Sequence, residues 1–299
     1  MSVESRDNAA VMASNHAPAQ SIYPKTRRIR FRFGDDVAPQ KYFIDDDIVF
    51  SHFIAGLSAA FPPGEEAFIR SVRRFADQIT DPVLKKRVAG FIGQESMHGQ
   101  EHRRVNETLV QMGYPIGWWD AEAAQSRRLR FEQRLNPKLH LAMTAAFEHY
   151  TAVLAERTLA VPAAQDIPAN PEIRNLLNWH ALEELEHKSV AFDVYRAVGG
   201  REWMRIAVMV TLLVSTLPII AVILGISLLR DPVARRQPLR LARELKQLRR
   251  FPVFAGMMRD LAKYARPGFH PDDIDTTALL DSWRERLFGA RGALMGHLK

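Results

Sequence analysis

From about residue 45 onward, apolar side chains recur at helical spacing, and the punctuation between the runs is clear. Asp45, Asp46 and Asp47 can cap a short helix that carries Phe50, Phe53, Ile54 and Leu57 on one face and stops at Phe61-Pro62-Pro63. A second helix is predicted over 63–79. Asp81-Pro82 then supplies an N-cap with proline at the first helical position, and a long helix is predicted over 82–112, ended by Gly113. Residues 113–135, with Gly117-Trp118-Trp119, read as a long connection. Asn136-Pro137 repeats the cap and opens a helix over 137–160. Asn170-Pro171 repeats it again and opens a helix that runs to Gly199-Gly200. Strand signals are nearly absent. The expected fold is all-α, with two antiparallel helical hairpins joined by a longer crossover.

Two segments stand outside this bundle pattern. Residues 1–24 are expected to form a disordered tail; their first twenty positions lack the apolar run of a signal peptide, so export is not expected. Residues 25–32 (KTRRIRFR) are basic and alternating, as in an extended arm. Residues 207–229 carry no charge over 23 positions, and Pro218 sits near their centre. At 1.5 Å per residue this could cross a bilayer core of about 30 Å. Arg201 and Arg205 flank one end and a basic block the other. Three arrangements fit: a span, a re-entrant or interfacial helical hairpin, or a buried fifth helix. The expected organisation is a bundle over 25–200, an apolar membrane-associated segment over 201–230 and a basic helical region over 231–299.

Composition changes the picture by subtraction. The 299 residues are 47% hydrophobic and 25% charged, the balance of a chain that buries a core. There is no cysteine among them, which excludes disulfides, iron–sulfur clusters, thiolate zinc and a cysteine nucleophile. A metal would have to use His, Asp and Glu. The net charge of +7 is mostly one block: residues 230–250 hold eight Lys or Arg against Asp231 and Glu244. Basic residues behind an apolar segment attract anionic head groups, and no aromatic stacking platform or recognition motif suggests nucleic acid.

The candidate chemistry lies in two copies of E-x-x-H, Glu95-x-x-His98 and Glu184-x-x-His187, each placing a carboxylate and an imidazole on one helical face. Either copy alone reads as readily as a solvated helix pair. Height adds weight. Glu65 and Glu95 both stand roughly 20 Å from the turn at Thr80-Asp81, and Glu148 and Glu184 are matched in the same way within the other hairpin. Glu148 ends the apolar run Leu141-Ala-Met-Thr-Ala-Ala-Phe147, so it needs a cation unless it is exposed or satisfied by His149. Four carboxylates would balance two divalent ions, and carboxylate with imidazole suits iron, manganese or zinc.

The pattern Glu65 … Glu95-x-x-His98 … Glu148 … Glu184-x-x-His187 resembles the ferritin-like di-iron carboxylate fold. More narrowly, FPPGEEAFIRSVR, FIGQESMHGQEHRRVN and WHALEELEHKSVAFDVY resemble a bacterial family described as predicted metal-dependent hydrolases, over about residues 27–200. That resemblance favours Glu65 over its neighbour Glu66. His180, four residues before Glu184, resembles the additional histidine of arylamine N-oxygenases, which implies a seventh ligand; a supporting or capping histidine is the alternative. His102 reads as a supporting or surface residue, and so do Glu183 and Glu186. Arg70, Tyr150 and Asp193 could tune the cluster or simply pack.

The resemblance implies two iron ions, with manganese or zinc as alternatives, and O2-dependent oxidation of an organic small molecule drawing on an unidentified electron donor; the apolar segment adds the expectation that this molecule is lipophilic. The alternatives are a two-metal hydrolase of an ester or phosphoester, and a non-enzymatic iron-binding or redox-stress protein. The expected location is cytoplasmic, against the inner face of the cytoplasmic membrane, with an anionic membrane surface as partner and no nucleic acid.

Overall fold

The computed structural model describes residues 23–35 and 38–299. The expected tail at 1–24 lies outside the described residues except for Tyr23 and Pro24. In chain order the helices are α1 (Ile48–Arg73), α2 (Pro82–Gln111), α3 (Glu122–Arg134), α4 (Pro137–Ala160), α5 (Pro162–Asp166), α6 (Pro171–His187), α7 (Val190–Ala197), α8 (Glu202–Arg230), α9 (Pro232–Arg235), α10 (Pro238–Arg250), α11 (Met257–Ala262) and α12 (Thr277–Phe288). Among the described residues there is no strand, only isolated bridges between Ile29 and Leu298 and between Ile44 and Ala169. The fold is all-α, as the spacing predicts.

The capping reading holds in detail. Asp81 accepts hydrogen bonds from the backbone N–H of Val83 and Leu84, Asn136 from Lys138 and Leu139, and Asn170 from Glu172 and Ile173. α1 packs on α2 and α4 packs on α6. Ser58 meets Asn106, while Leu159 at the end of α4 shares a cluster with Ile173 at the start of α6 and Glu148 in mid-α4 meets His187 at the end of α6, so each pair runs antiparallel.

Three boundaries differ from the prediction, and one open choice narrows. Pro62 and Pro63 lie inside α1, which is one helix from Ile48 to Arg73 instead of two. A proline removes the N–H that would bond the carbonyl four residues back. Here the freed Ser58 carbonyl accepts from Asn106 Nδ2 at 3.1 Å, so α2 repairs what Pro62 removes. The expected connection at 113–135 contains α3, a mostly polar and exposed helix with no apolar stripe to announce it. The helix expected to run from Pro171 to Gly199 turns at Lys188-Ser189 and resumes as α7. Finally, 207–229 forms neither a re-entrant hairpin nor a buried helix. It belongs to one continuous helix, α8, that runs through Pro218 and buries only one face.

Two large apolar clusters fill the interior. One gathers Ile29, Phe31, Trp179 and Leu182; the other gathers Phe91, Leu141, Val190 and Met209. The basic arm alternates as predicted, with Ile29, Phe31 and Phe33 buried and Arg28, Arg30 and Arg32 exposed. It pairs with the C-terminal residues through Arg30 N–H to His297 O and Lys299 N–H to Arg28 O. A buried polar clasp ties the end of α8 to α1: His52 Nδ1 lies 2.7 Å from Ser227 Oγ and His52 Nε2 lies 3.1 Å from Asp231 Oδ2.

Candidate metal centre

The fold brings together all seven residues singled out by the sequence. Glu65 comes from α1, Glu95 and His98 from α2, Glu148 from α4, and His180, Glu184 and His187 from α6. None is more than 4% exposed. Their polar atoms converge. His187 Nε2 lies 3.0 Å from Glu95 Oε1, 3.4 Å from Glu148 Oε2 and 3.6 Å from Glu184 Oε2. His180 Nε2 lies 2.8 Å from Glu184 Oε1 and 3.6 Å from Glu65 Oε1. His98 Nδ1 lies 3.8 Å from Glu184 Oε1 and 3.9 Å from Glu95 Oε2. Two sets of three donors are compact enough for an ion each: Glu65, His98 and His180, and Glu95, Glu184 and His187. Trp179 packs edge-on against His98 and Phe91 against His187, so the polar centre lies between the two apolar clusters.

Outer partners fix which ring nitrogen points inward. Ser58 Oγ donates to Asn106 Oδ1 at 2.7 Å, so it accepts from His102 Nδ1–H at 2.9 Å. His102 Nε2 is then an acceptor, and it takes the Nδ1–H of His180 at 2.7 Å. The Nε2 lone pair of His180 therefore faces Glu184 and Glu65. On the other side, Gln94 Nε2 donates to Glu186 at 2.7 Å, which leaves its Oε1 to accept from His187 Nδ1–H at 3.0 Å. His187 Nε2 is thereby aimed at Glu95 and Glu148. His98 Nε2 faces Glu183 at 3.2 Å, and its Nδ1 points to the centre. Imidazoles that ligate metals are typically held in this way by their second nitrogen.

Such an arrangement needs positive charge. Both carboxylate oxygens of Glu65, Glu95 and Glu148 are buried without a hydrogen-bond partner among the described residues. Unpaired buried carboxylates are very costly. Without a cation, protons must serve. Burial and the charge of Glu95 push the Glu65 and Glu148 carboxyls well above the usual range. Burial opposes charge on the imidazoles, yet Glu183 and Glu95 raise His98 to about 10, and Glu184 and Glu148 raise His187 well above its ordinary value. Burial also works against ionised Glu184, but the neighbouring His187 imidazolium outweighs it and holds the carboxyl well below the carboxylate range. The unshared oxygens, the inward lone pairs and the donor chemistry fit divalent cations.

Several supporting residues escaped the sequence. Arg27, from the basic arm, bonds Glu183 at 2.7 Å and Glu186 at 2.8 Å. Burial opposes charge on this guanidinium, but the two carboxylates hold its pKa far above the ordinary value. Glu183 and Glu186 are thus buried supports, not surface residues. His102 is likewise buried and bonded to His180. Gln94, Ser58 and Asn106 gave no signal, because single polar residues on a helix face are common. Arg70 pairs with Glu132 and Glu66, and Asp193 with Arg87 and His270, away from the centre. Tyr150 reaches the Leu212 carbonyl, and His149 packs against Tyr264 instead of satisfying Glu148.

An apolar pocket of about 120 Å³ reaches the centre. Phe50, Phe53, Leu57, Phe61 and Leu177 line it, and Glu184 and His180 form part of its wall. Its remaining cation, Arg174, is already engaged with the carbonyls of Gln165 and Ile167.

Comparison with curated proteins and with solved structures returns no match. A family profile does match, over residues 25–275, and covers the arm, all seven candidate donors and their outer partners. The chain belongs to the family of predicted metal-dependent hydrolases.

Proposed function

We propose that the chain is a ferritin-like two-metal enzyme that hydrolyses an ester-type bond in a small molecule with an apolar body. One observation carries the metal assignment: two imidazoles held by outer hydrogen bonds, and a third that faces Glu183, aim their inner nitrogens into a space lined by four buried carboxylates. The family description supports hydrolysis. Bound divalent ions would lower the pKa of a water and polarise the scissile group. The protein's own part is to hold the ions and orient the substrate. Glu184 and His180 are the donors that form part of the pocket wall, so a substrate lying there meets the centre at those residues.

A serine mechanism has less support. Ser227, His52 and Asp231 are bonded in the order of a hydrolytic triad, but all three are buried. Asp231 is also engaged by Lys41 at 2.8 Å and caps α9. This cluster reads as a clasp.

A second reading, O2-dependent oxidation with two iron ions and an external electron donor, is favoured by the donor set itself. Four carboxylates with three histidines, including His180-x-x-x-Glu184-x-x-His187, resemble the arylamine N-oxygenases.

One experiment separates the readings. Metal-stripped protein is loaded anaerobically with manganese, zinc or ferrous iron and offered chromogenic carboxylate esters and phosphoesters, before and after O2 is admitted. O2-independent turnover supports hydrolysis. Turnover only with iron and O2 replaces hydrolysis with the oxidative reading. Stoichiometric metal binding without turnover under either condition favours a non-enzymatic iron protein.

A further inference from the structure

α8 has two faces with opposite fates. Its inner face packs on the bundle at both ends of the helix. Val208, Met209 and Leu212 join the cluster of Leu141 and Tyr195, and Leu224 joins Val49 and Leu248. Arg205, a flanking cation in the sequence, is fully buried and bonded to Glu202 and to the carbonyls of Tyr264 and Arg266, so it cannot serve lipid. The His52 clasp holds the far end. The outer face is bare: Val214 is 71% exposed, Leu217 58%, Val222 61% and Leu229 69%. With Val210 and Ile226 these recur every three to five residues and form one stripe about 30 Å long. Soluble monomers rarely expose a contiguous apolar patch of such size.

The segment that follows the stripe, residues 230–250, exposes charge of one sign. In residues 230–250 the two acids are consumed inside the fold. Asp231 is held by His52 and Lys41, and Glu244 accepts from the backbone of Ile48 and Val49 and pairs with Arg240. Arg235, Arg236, Arg243, Lys246, Arg249 and Arg250 are exposed. Trp203, 60% exposed, stands at the opposite end of α8.

We propose that α8 lies in the plane of an anionic bilayer, with its outer stripe among the acyl chains, α10 over the head groups and Trp203 at the interface. A transmembrane span would surround the helix with lipid, which the packed inner face forbids. The aromatic wall of the pocket, Phe50, Phe53 and Phe254, belongs to the same cluster as Leu224 and Leu248, so this docking sets the pocket beside the membrane. The docking stands independently of the reaction assigned to the centre.

The test is flotation of the full chain with vesicles of phosphatidylcholine alone and of phosphatidylcholine mixed with phosphatidylglycerol. Two variants accompany it: V214E/L217E/V222E on the stripe and R243E/K246E/R249E on α10. Every position changed is exposed, and circular dichroism and metal content check that each variant folds. The expected result is binding to the anionic vesicles, weakened by salt, and reduced about 100-fold or more in either variant, with a blue shift of tryptophan emission in the wild type. The proposal is overturned if the wild type binds neither vesicle, or if the stripe variant floats as well as the wild type. It is equally overturned if sedimentation shows a dimer that the stripe variant dissolves while vesicles are ignored.

Discussion

Arg27 Nη1 lies 2.7 Å from Glu183 Oε1, across 156 positions of sequence. Glu183 in turn faces His98, and the same guanidinium reaches both oxygens of Glu186, the acceptor for Gln94. One cation on the arm therefore anchors the outer partners of two candidate ligands. Arg27→Ala should weaken metal binding by about 10- to 100-fold. It should also destabilise the fold by about 3 kcal/mol, because it leaves the buried Glu183 with His98 as its remaining charged neighbour. Competition with a metal chelator and urea unfolding measure the two effects. Arg27→Lys, a point charge in place of a fork, should recover only part. Undiminished metal affinity in Arg27→Ala would show that the arm is decorative.

The arm reaches this position because α2 leaves room for it. A methyl group at Gly90 would collide with the carbonyl oxygen of Pro24, and one at Gly93 with the Thr26 hydroxyl. Gly90→Ala replaces a glycine at an ordinary helical position and should favour the isolated helix slightly. It should nevertheless lower metal affinity in the same direction as Arg27→Ala. The double variant should lose much less than the two losses added, because both disturb one contact. Full additivity in the chelator titration would place the two residues in separate devices.

Much of this was readable from spacing. The three Asx-Pro caps fixed the starts of α2, α4 and α6, because an N-cap followed by proline is a local signal that tertiary packing rarely overrides. The two E-x-x-H pairs and the heights of Glu65 and Glu148 followed from the helical rise alone. The outer partners did not follow, since Arg27 approaches Glu183 through the fold of the arm and not through any periodicity. Pro62 and Pro63 misled for a related reason. The carbonyl that Pro62 frees is satisfied by Asn106 on another helix, which no local rule contains. The outer face of α8 was legible as apolar, but its packed inner face depends on partners distant in sequence.

Metal binding should release protons. In the absence of a cation, burial raises the Glu65 and Glu148 carboxyls, and neighbouring carboxylates raise His187 and bring His98 to about 10, so all four shifts favour the protonated form. Two divalent ions would displace these protons. The sign is fixed by the shifts: groups with raised pKa are harder to deprotonate as pH falls, so apparent affinity should drop steadily from pH 8 to pH 6. Calorimetry in buffers of different ionisation enthalpy should detect the release of several protons per protein. Affinity that is flat with pH would contradict the assignment.

The clasp on α8 predicts acid sensitivity at a distance from the centre. Burial opposes ionisation of Asp231, but Lys41 and His52 hold its pKa below the ordinary value of 3.8. Stability from this group is complete above that value and is lost as pH falls through the lowered one. His52 adds the same sign at higher pH. Burial holds its pKa below 6.5, so the unfolded chain takes up the proton first as pH falls. Asp231→Asn should cost about 3 kcal/mol at pH 7 and flatten the acid limb of a stability profile. An unchanged acid limb would mean that the clasp titrates elsewhere.

Glu184 and Glu148 should differ as ligands. Glu184 Oε1 lies 2.8 Å from His180 Nε2 and its Oε2 lies 3.6 Å from His187 Nε2, so it touches both donor sets. Glu148 approaches only the set containing His187, at 3.4 Å. Glu184→Ala should therefore abolish tight binding at both positions, while Glu148→Ala should retain one ion and weaken the other by more than about 100-fold. Both variants should fold, because each replaces a buried carboxylate that depends on a cation with a small apolar group that does not. Metal content after gel filtration, read beside circular dichroism, gives the answer. Two ions retained by Glu184→Ala would remove it from the centre, and equal losses in the two variants would show that the donors bind as a single unit.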